Sequence, residues 1–344
     1  MVVDIPYSAL VDPAADISAQ LEEAYGPAGL GILTVSGVTR FPELRRKLLP
    51  LAARVAALPA AARAQLEDPT SHFNIGWSCG RETLEGGQPD TRKGSFYANP
   101  LHDDPVPGHS DLQRRYPAYC APNLWPHDDL PQLEGAVKAL GQLIMEVGLL
   151  LARHCDMYCS TRGGYPPRLH DILQQSPCPK ARLLHYFAPV SETSGSGRAP
   201  SQQWCGWHTD HGSLTGLCSA LYLDAAGQPT ACPDPQAGLH VRDRSGKVTQ
   251  VAIPADSIGF QIGEAMQIQS GGLLRGTPHC VVAPRQDLSA GISRNTFAVF
   301  MQPRWDCPVD LPAGARPEDV GIGQWRPGLD FGSFSTLTFE SYYK

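Results

Sequence analysis

The sequence predicts an α+β protein, with a mainly helical N-terminal part followed by an antiparallel sandwich or barrel. Three observations carry that prediction. Apolar residues recur at three-to-four spacing in segments up to residue 154. After Arg168 the pattern changes to short β-branched and aromatic runs separated by turn residues. At 344 residues, with 42% hydrophobic and 18% charged positions, the chain can bury a sizeable core without disulfide or metal staples.

Residues 16–25 read as a short amphipathic helix, and Gly31-Ile-Leu-Thr-Val35 as a strand. Residues 42–58 and 60–66 are Ala/Leu/Arg helices punctuated by Pro50 and Pro59. The stretch 70–131 is rich in Gly, Pro, Asn and Asp and reads as a long irregular segment with few regular elements. Leu133, Val137, Leu140, Ile144, Val147 and Leu151 then line one face of a core helix over 133–154. Strands are expected at 182–187, 214–223, 238–242, 247–253, 257–262, 279–282 and 296–302. Residues 191–201 and 225–235 are Gly/Ser/Pro-rich insertions, the first expected to form a mobile flap.

The 28 basic and 34 acidic residues leave a net charge of −6, with no Lys/Arg-rich run, so nucleic acid and anionic membranes are not the expected partners. The start, Met1-Val-Val-Asp4-Ile-Pro6, has neither the basic nor the apolar region of a signal peptide, which places the expected location in the cytoplasm. Glu134, Lys138, Gln142 and Glu146 interrupt the most apolar stretch, so it is not read as a membrane span. The ten cysteines lack the dense spacing of a stapled scaffold and read as free thiols, with Cys155 and Cys159 packed in a helix. A monomer acting on a small molecule is the default expectation.

His-x-Asp occurs five times, where 11 histidines and 34 acidic residues predict about one His-x-[Asp/Glu] match by chance. Context selects among them. The pairs His102/Asp104, His109/Asp111 and His127/Asp129 lie in the irregular segment, and His154/Asp156 lies at a helix end, where i and i+2 diverge; all four read as solvated surface residues. His208 and Asp210 instead lead into the strand-like run Gly212-Ser-Leu-Thr-Gly-Leu217, and on a strand i and i+2 share a face. A third ligand from another strand is offered by His279, 71 residues after His208, at the start of a β-run. Two histidines and one carboxylate on one face of an octahedron suit non-haem Fe(II). Farther on, Arg294 and Thr296 share a strand face and would present a guanidinium fork with a hydroxyl, a receptor for a carboxylate. An arginine beside Phe297-Ala-Val-Phe-Met301 is costly unless something anionic meets it.

Trp207-His-Thr-Asp-His-Gly-Ser-Leu-Thr215, His279 and the Arg-x-Thr of Arg294 and Thr296 together resemble the Fe(II)- and 2-oxoglutarate-dependent oxygenases, in the isopenicillin N synthase-like branch. The resemblance implies a double-stranded β-helix, or jelly-roll, core over 166–306, a mainly helical N-terminal region over 1–165 and a C-terminal tail over 307–344. It implies iron held by His208, Asp210 and His279 as catalytic centre, and 2-oxoglutarate held by Arg294 and Thr296. Tyr186, in Leu183-Leu-His-Tyr-Phe187, matches the family's tyrosine-bearing strand and is a further candidate for the 2-oxoglutarate site. The implied reaction hydroxylates, desaturates or cyclises a small organic substrate while 2-oxoglutarate and O2 become succinate and CO2, with ascorbate a candidate reductant. The longer intervals around His279 imply inserted loops at 225–235 and 285–291.

His211 is expected to point away from Asp210, in an outer or surface position. The stretches 74–81 and 93–97 mix aromatic, glycine and basic residues and are equally readable as loop packing or as a substrate mouth receiving an acidic molecule. The aromatic run from Phe331 to Tyr343 resembles the family's closing helix. Two other functions stay open at this stage: an iron oxidase of the same branch that does not use 2-oxoglutarate, and a catalytically silent jelly-roll that binds a ligand.

Overall fold

The computed structural model describes residues 2–82, 89–189, 203–322 and 324–342. The expected flap at 191–201 lies outside the described residues, as does Tyr343.

Fourteen strands form two sheets among the described residues: β1 (Val3–Pro6), β2 (Ile32–Ser36), β3 (Gly76–Cys79), β4 (Lys93–Ala98), β5 (Lys180–Tyr186), β6 (Gln203–His208), β7 (Leu214–Cys218), β8 (Leu221–Leu223), β9 (Pro229–Thr230), β10 (Gly238–Arg242), β11 (Val248–Val251), β12 (Ile258–Ile262), β13 (His279–Val282) and β14 (Ser293–Met301). The large sheet runs β1-β2-β12-β7-β14-β5-β4-β3, with β8 also on β14 and β9 on β8; the small one runs β11-β10-β13-β6. Every pairing is antiparallel except β1 with β2.

The large sheet is covered on both faces, which explains its composition. One face packs on the helices Phe41–Ala56 and Gln132–Gly163, whose Leu48, Val55, Leu140, Ile144 and Val147 meet Phe96, Leu183, Phe260, Phe297 and Val299 in the main core. The other face meets the small sheet: Leu184, Tyr186 and Tyr222 pack with Trp204 and Val281, and Ile32 and Leu217 pack with Val241 and Val251. The long helix approaches closely because glycines stand at the crossing. A Cβ on Gly216 would lie 2.2 Å from Ile144 Cγ2, and one on Gly148 would lie 2.3 Å from Met301 Sδ. That helix is apolar and long enough by composition to cross a membrane. Its packing is that of a core helix; it ends at Gly164, whose φ of 68° suits a left-handed C-cap.

Several expectations need correction. The segment 70–131 is irregular over most of its described residues, as expected, but it also contributes β3, β4 and the short helices Ser110–Arg115 and Pro117–Cys120. All six residues of β4 are buried, so the alternation that marks a half-exposed strand is missing from its sequence. The run 214–223 is two strands, broken at Ser219 and Ala220, whose carbonyls both accept from the Arg45 guanidinium. His154 and Asp156 are buried rather than solvated. His154 bonds the Leu10 carbonyl at 3.1 Å, and the Asp156 carboxylate accepts the amides of Arg168, Leu169 and His170, capping the helix Leu169–Gln174. The inserted loop at 225–235 carries β9, folded back on β8. All ten cysteines are free thiols, with Cys155 and Cys159 buried.

Candidate active site

Antiparallel register places His279 directly opposite His208, with the ring centroids 4.3 Å apart. Asp210 follows the end of β6, in the turn between β6 and β7. The convergence expected from strand alternation is therefore achieved by a turn, which other backbone groups hold in place. Glu264 N donates to Asp210 O (2.8 Å), Ala265 N to Gly212 O (3.0 Å) and Gly263 N to Ser213 O (2.9 Å). Gly263 has to be glycine for this approach, since a Cβ there would lie 2.2 Å from Gly212 O.

Asp210 Oδ1 lies 3.7 Å from His208 Nε2 and 3.8 Å from His279 Nε2, and the three ligand atoms all lie within 4.8 Å of one another. Two donors on one ion at about 2.0–2.2 Å each are at most about 4.4 Å apart. Both Asp210 distances lie inside that span, so this cluster could hold a single divalent cation, and two imidazoles with one carboxylate is the set that suits Fe(II) with positions left open. Burial would raise the Asp210 carboxyl, but His279, His208 and the Thr215 hydroxyl hold it below the usual carboxylate range. Thr215 Oγ1 donates to Asp210 Oδ2 at 2.6 Å. Burial and the neighbouring His208 lower His279 to about 4, so it stands as a neutral imidazole. Burial also acts to lower His208, yet Cys205 and Asp210 raise it to about 9. A cation there competes with that proton and releases it on binding.

Arg294 on β14 is 7% exposed and lies between Tyr186 of β5 and Tyr222 of β8, its register partners on either side. Its guanidinium carbon is 4.9 Å from the Tyr186 ring and 5.9 Å from that of Trp204. Its Nε and Nη1 are buried with no hydrogen-bond partner. A buried guanidinium missing two partners beside aromatic rings has the geometry and charge to receive a planar anion.

No protein-family model matches the chain, and no curated protein does. Solved structures do match. A full-length Neurospora crassa protein in complex with alpha-KG is 21% identical at a TM-score of 0.70, over 98% of this chain and 96% of that one. The same Neurospora protein with alpha-KG and thymine gives 20%, 0.70, 98% and 97%. A putative 2OG-Fe(II) oxygenase family protein from Caulobacter crescentus is 18% identical at 0.68, over 99% and 98%. JOX2 in complex with 2OG, Fe and JA is 16% identical at 0.66, over 100% and 85%. The chain has the fold of the 2OG-Fe(II) oxygenases.

Within this oxygenase fold, the predicted site residues divide into those brought together and those placed apart. His208, Asp210 and His279 meet, and Tyr186 meets Arg294. Thr296 lies two residues along the strand from Arg294, but its hydroxyl donates to the Cys218 carbonyl at 2.8 Å. It would have to turn from that bond to donate to a ligand. His211 does lead outward. Its Nε2 faces Ser335 Oγ at 3.0 Å, its ring stacks on Phe331 at 5.8 Å, and burial lowers it to about 4, tying the metal turn to the C-terminal helix Phe331–Tyr342. Lys93 does not offer an open charge to an acidic molecule. Its ammonium is 2.8 Å from Glu82 and 3.2 Å from Asp90, and Glu82 also takes Arg182 at 2.5 Å.

Sequence reading missed Cys205, Thr215 and Gln261. Cys205 Sγ lies 3.8 Å from His208 Nδ1, while Gly206 O lies 2.8 Å from the same nitrogen. Thr215 was discoverable, being five residues beyond Asp210 in the same run; Gln261 and its site neighbours are joined only by strand pairing.

Proposed function

We propose that the protein is an Fe(II)- and 2-oxoglutarate-dependent oxygenase that hydroxylates, desaturates or cyclises a small organic molecule. The observation that carries this reading is Arg294, a buried guanidinium with two unpartnered nitrogens, in the same fold as a His208–Asp210–His279 donor set. The neighbours support it: the Neurospora crassa protein is solved with alpha-KG and with thymine, and JOX2 with 2OG, Fe and JA. Bound iron with 2-oxoglutarate and O2 supplies a two-electron oxidation of a substrate C–H bond, leaving succinate and CO2.

The chain's own residues bind, orient and exclude water. His208, Asp210 and His279 hold the cation, with Thr215 and the Gly206 carbonyl fixing the orientation of two of them. Arg294 receives the distal carboxylate of 2-oxoglutarate, and Tyr186 and Trp204 wall that end from water, which strengthens the ion pair. Thr296 and Tyr186 are the further candidates for contact with 2-oxoglutarate. An iron oxidase that takes its electrons elsewhere would use Arg294 only if its own substrate carried the carboxylate, and the titration below separates the two.

The test is anaerobic titration of apoprotein with Fe(II) and then 2-oxoglutarate, following the weak visible charge-transfer band of the chelate, with Asp210→Ala and Arg294→Ala in parallel. The band is expected in wild type, absent without Asp210, and shifted to far higher 2-oxoglutarate without Arg294. Iron binding with no band at any concentration would overturn the 2-oxoglutarate assignment. Protein that takes up no metal would leave a ligand-binding jelly-roll.

A further inference from the structure

Each iron-ligating histidine needs a partner at its other ring nitrogen. A neutral imidazole carries one proton; if Nε2 is given to a cation, that proton sits on Nδ1, and whatever faces Nδ1 must accept it. For His208 the acceptor is a backbone carbonyl, Gly206 O at 2.8 Å. For His279 two groups are in reach: the Gln261 carboxamide at 2.8 Å and the Thr277 carbonyl at a longer 3.3 Å.

Gln261 is fully buried on β12, in register with Thr215 on β7. Its Nε2 is the end that meets His279 Nδ1, and its Oε1 is buried with no hydrogen-bond partner. The two observations answer each other. A carboxamide turned by half a revolution directs Oε1 at Nδ1–H, which gives the orphaned oxygen its donor and the imidazole its acceptor. In the opposite orientation the amide donates to Nδ1 and leaves the proton on Nε2, the tautomer that cannot ligate through that atom. Beside the Thr277 carbonyl, which can only accept, the carboxamide in the first orientation helps to hold the Nδ1–H tautomer.

We propose that Gln261 is the positioning residue of His279, holding it as the Nδ1–H tautomer so that Nε2 stands open to the metal beside Asp210. This rests on the reading of His208, Asp210 and His279 as a metal centre. With Thr215 on Asp210 and Gly206 O on His208, it completes a set in which each of the three ligands has a polar group within hydrogen-bond distance to orient it.

The test is Co(II) affinity, read from the visible absorption of the bound ion in competition with a chelator, so that neither O2 nor turnover enters. Gln261→Leu is expected to weaken binding about 10–100-fold, the usual effect of losing such a partner. Gln261→Glu keeps an acceptor and is expected to bind at least as tightly as wild type. Thermal melts without metal establish that each variant is folded; should Gln261→Leu not fold, Gln261→Asn, whose shorter amide is drawn back from the ring, takes its place against Gln261→Glu. A Leu or Asn variant that binds Co(II) like wild type, or a Glu variant as weak as either, would overturn the proposal. Wild-type protein that binds no Co(II) would instead overturn the metal centre itself.

Discussion

Replacing Arg294 with methionine should separate stability from ligand binding, because the two effects have opposite sign. The side chain is buried, and its Nε and Nη1 have no partner. Two such nitrogens cost the ligand-free protein about 1–3 kcal/mol each, while the contacts with Tyr186 and Trp204 return up to about 2 kcal/mol. Methionine fills much of the same volume without the charge. Ligand-free R294M should therefore melt at or above wild type. At about 2.1 cal/mol/K per residue, unfolding 344 residues has an entropy of about 0.7 kcal/mol/K, so each kcal/mol moves Tm by roughly 1.4 °C. In wild type, 2-oxoglutarate at 100 times its Kd, with Mn(II) replacing iron, should add about 2.7 kcal/mol, or about 4 °C. Losing two charge-assisted hydrogen bonds, about 1.5–3 kcal/mol each, weakens binding by at least about 100-fold. The same 2-oxoglutarate concentration should then move R294M by less than about 1 °C. Differential scanning fluorimetry measures all four midpoints. An R294M protein that melts several degrees below wild type without ligand, yet keeps the full 2-oxoglutarate shift, would show that Arg294 is a structural cation and refute the argument.

Thr215→Val should keep the fold, because the residue is buried and the shapes match, but lower divalent-metal affinity about 10-fold or more in a chelator competition as Asp210 loses its 2.6 Å donor. Gly216→Ala should cost about 1–3 kcal/mol in urea unfolding, because its Cβ meets Ile144 Cγ2; adding Ile144→Leu, which removes that γ-methyl, should recover part of that, read as a coupling in a double-mutant cycle. Lys180 gives a pH signature. Burial lowers its ammonium from 10.5 to about 8, with only the Asn74 and Ala118 carbonyls as acceptors. Between pH 8 and 10.5 the unfolded chain holds a proton that the folded one has lost, so stability should rise with pH across that window relative to Lys180→Met, by about 3 kcal/mol. A stability difference between the two proteins that stays flat from pH 8 to 10 would count against a buried, poorly compensated ammonium.

Residue types and short spacings by themselves determined a good deal. The sequence singled out His208, Asp210 and His279, which the structure brings within 4.8 Å of one another, and Arg294, which it buries; the proposed site rests on these four. It also placed the core helix through Ile144 and the β-rich second half, because an amphipathic helix or a half-buried strand writes its period into consecutive residues. Tertiary structure decided the rest. The six residues of β4 are covered on both faces, so their sequence shows no alternation, and Lys93-Gly-Ser reads as a loop. His154 and Asp156 resemble surface residues until a neighbouring loop and a helix N-terminus use their polar atoms. His279 faces His208, Tyr186 faces Arg294 and Gln261 reaches His279 only because antiparallel register and sheet packing bring chain segments together from 18 to 108 residues apart. Register is fixed by burial summed over whole sheets, so no local window contains it. Local sequence chose the ligands; the assembled sheets chose the groups that orient them.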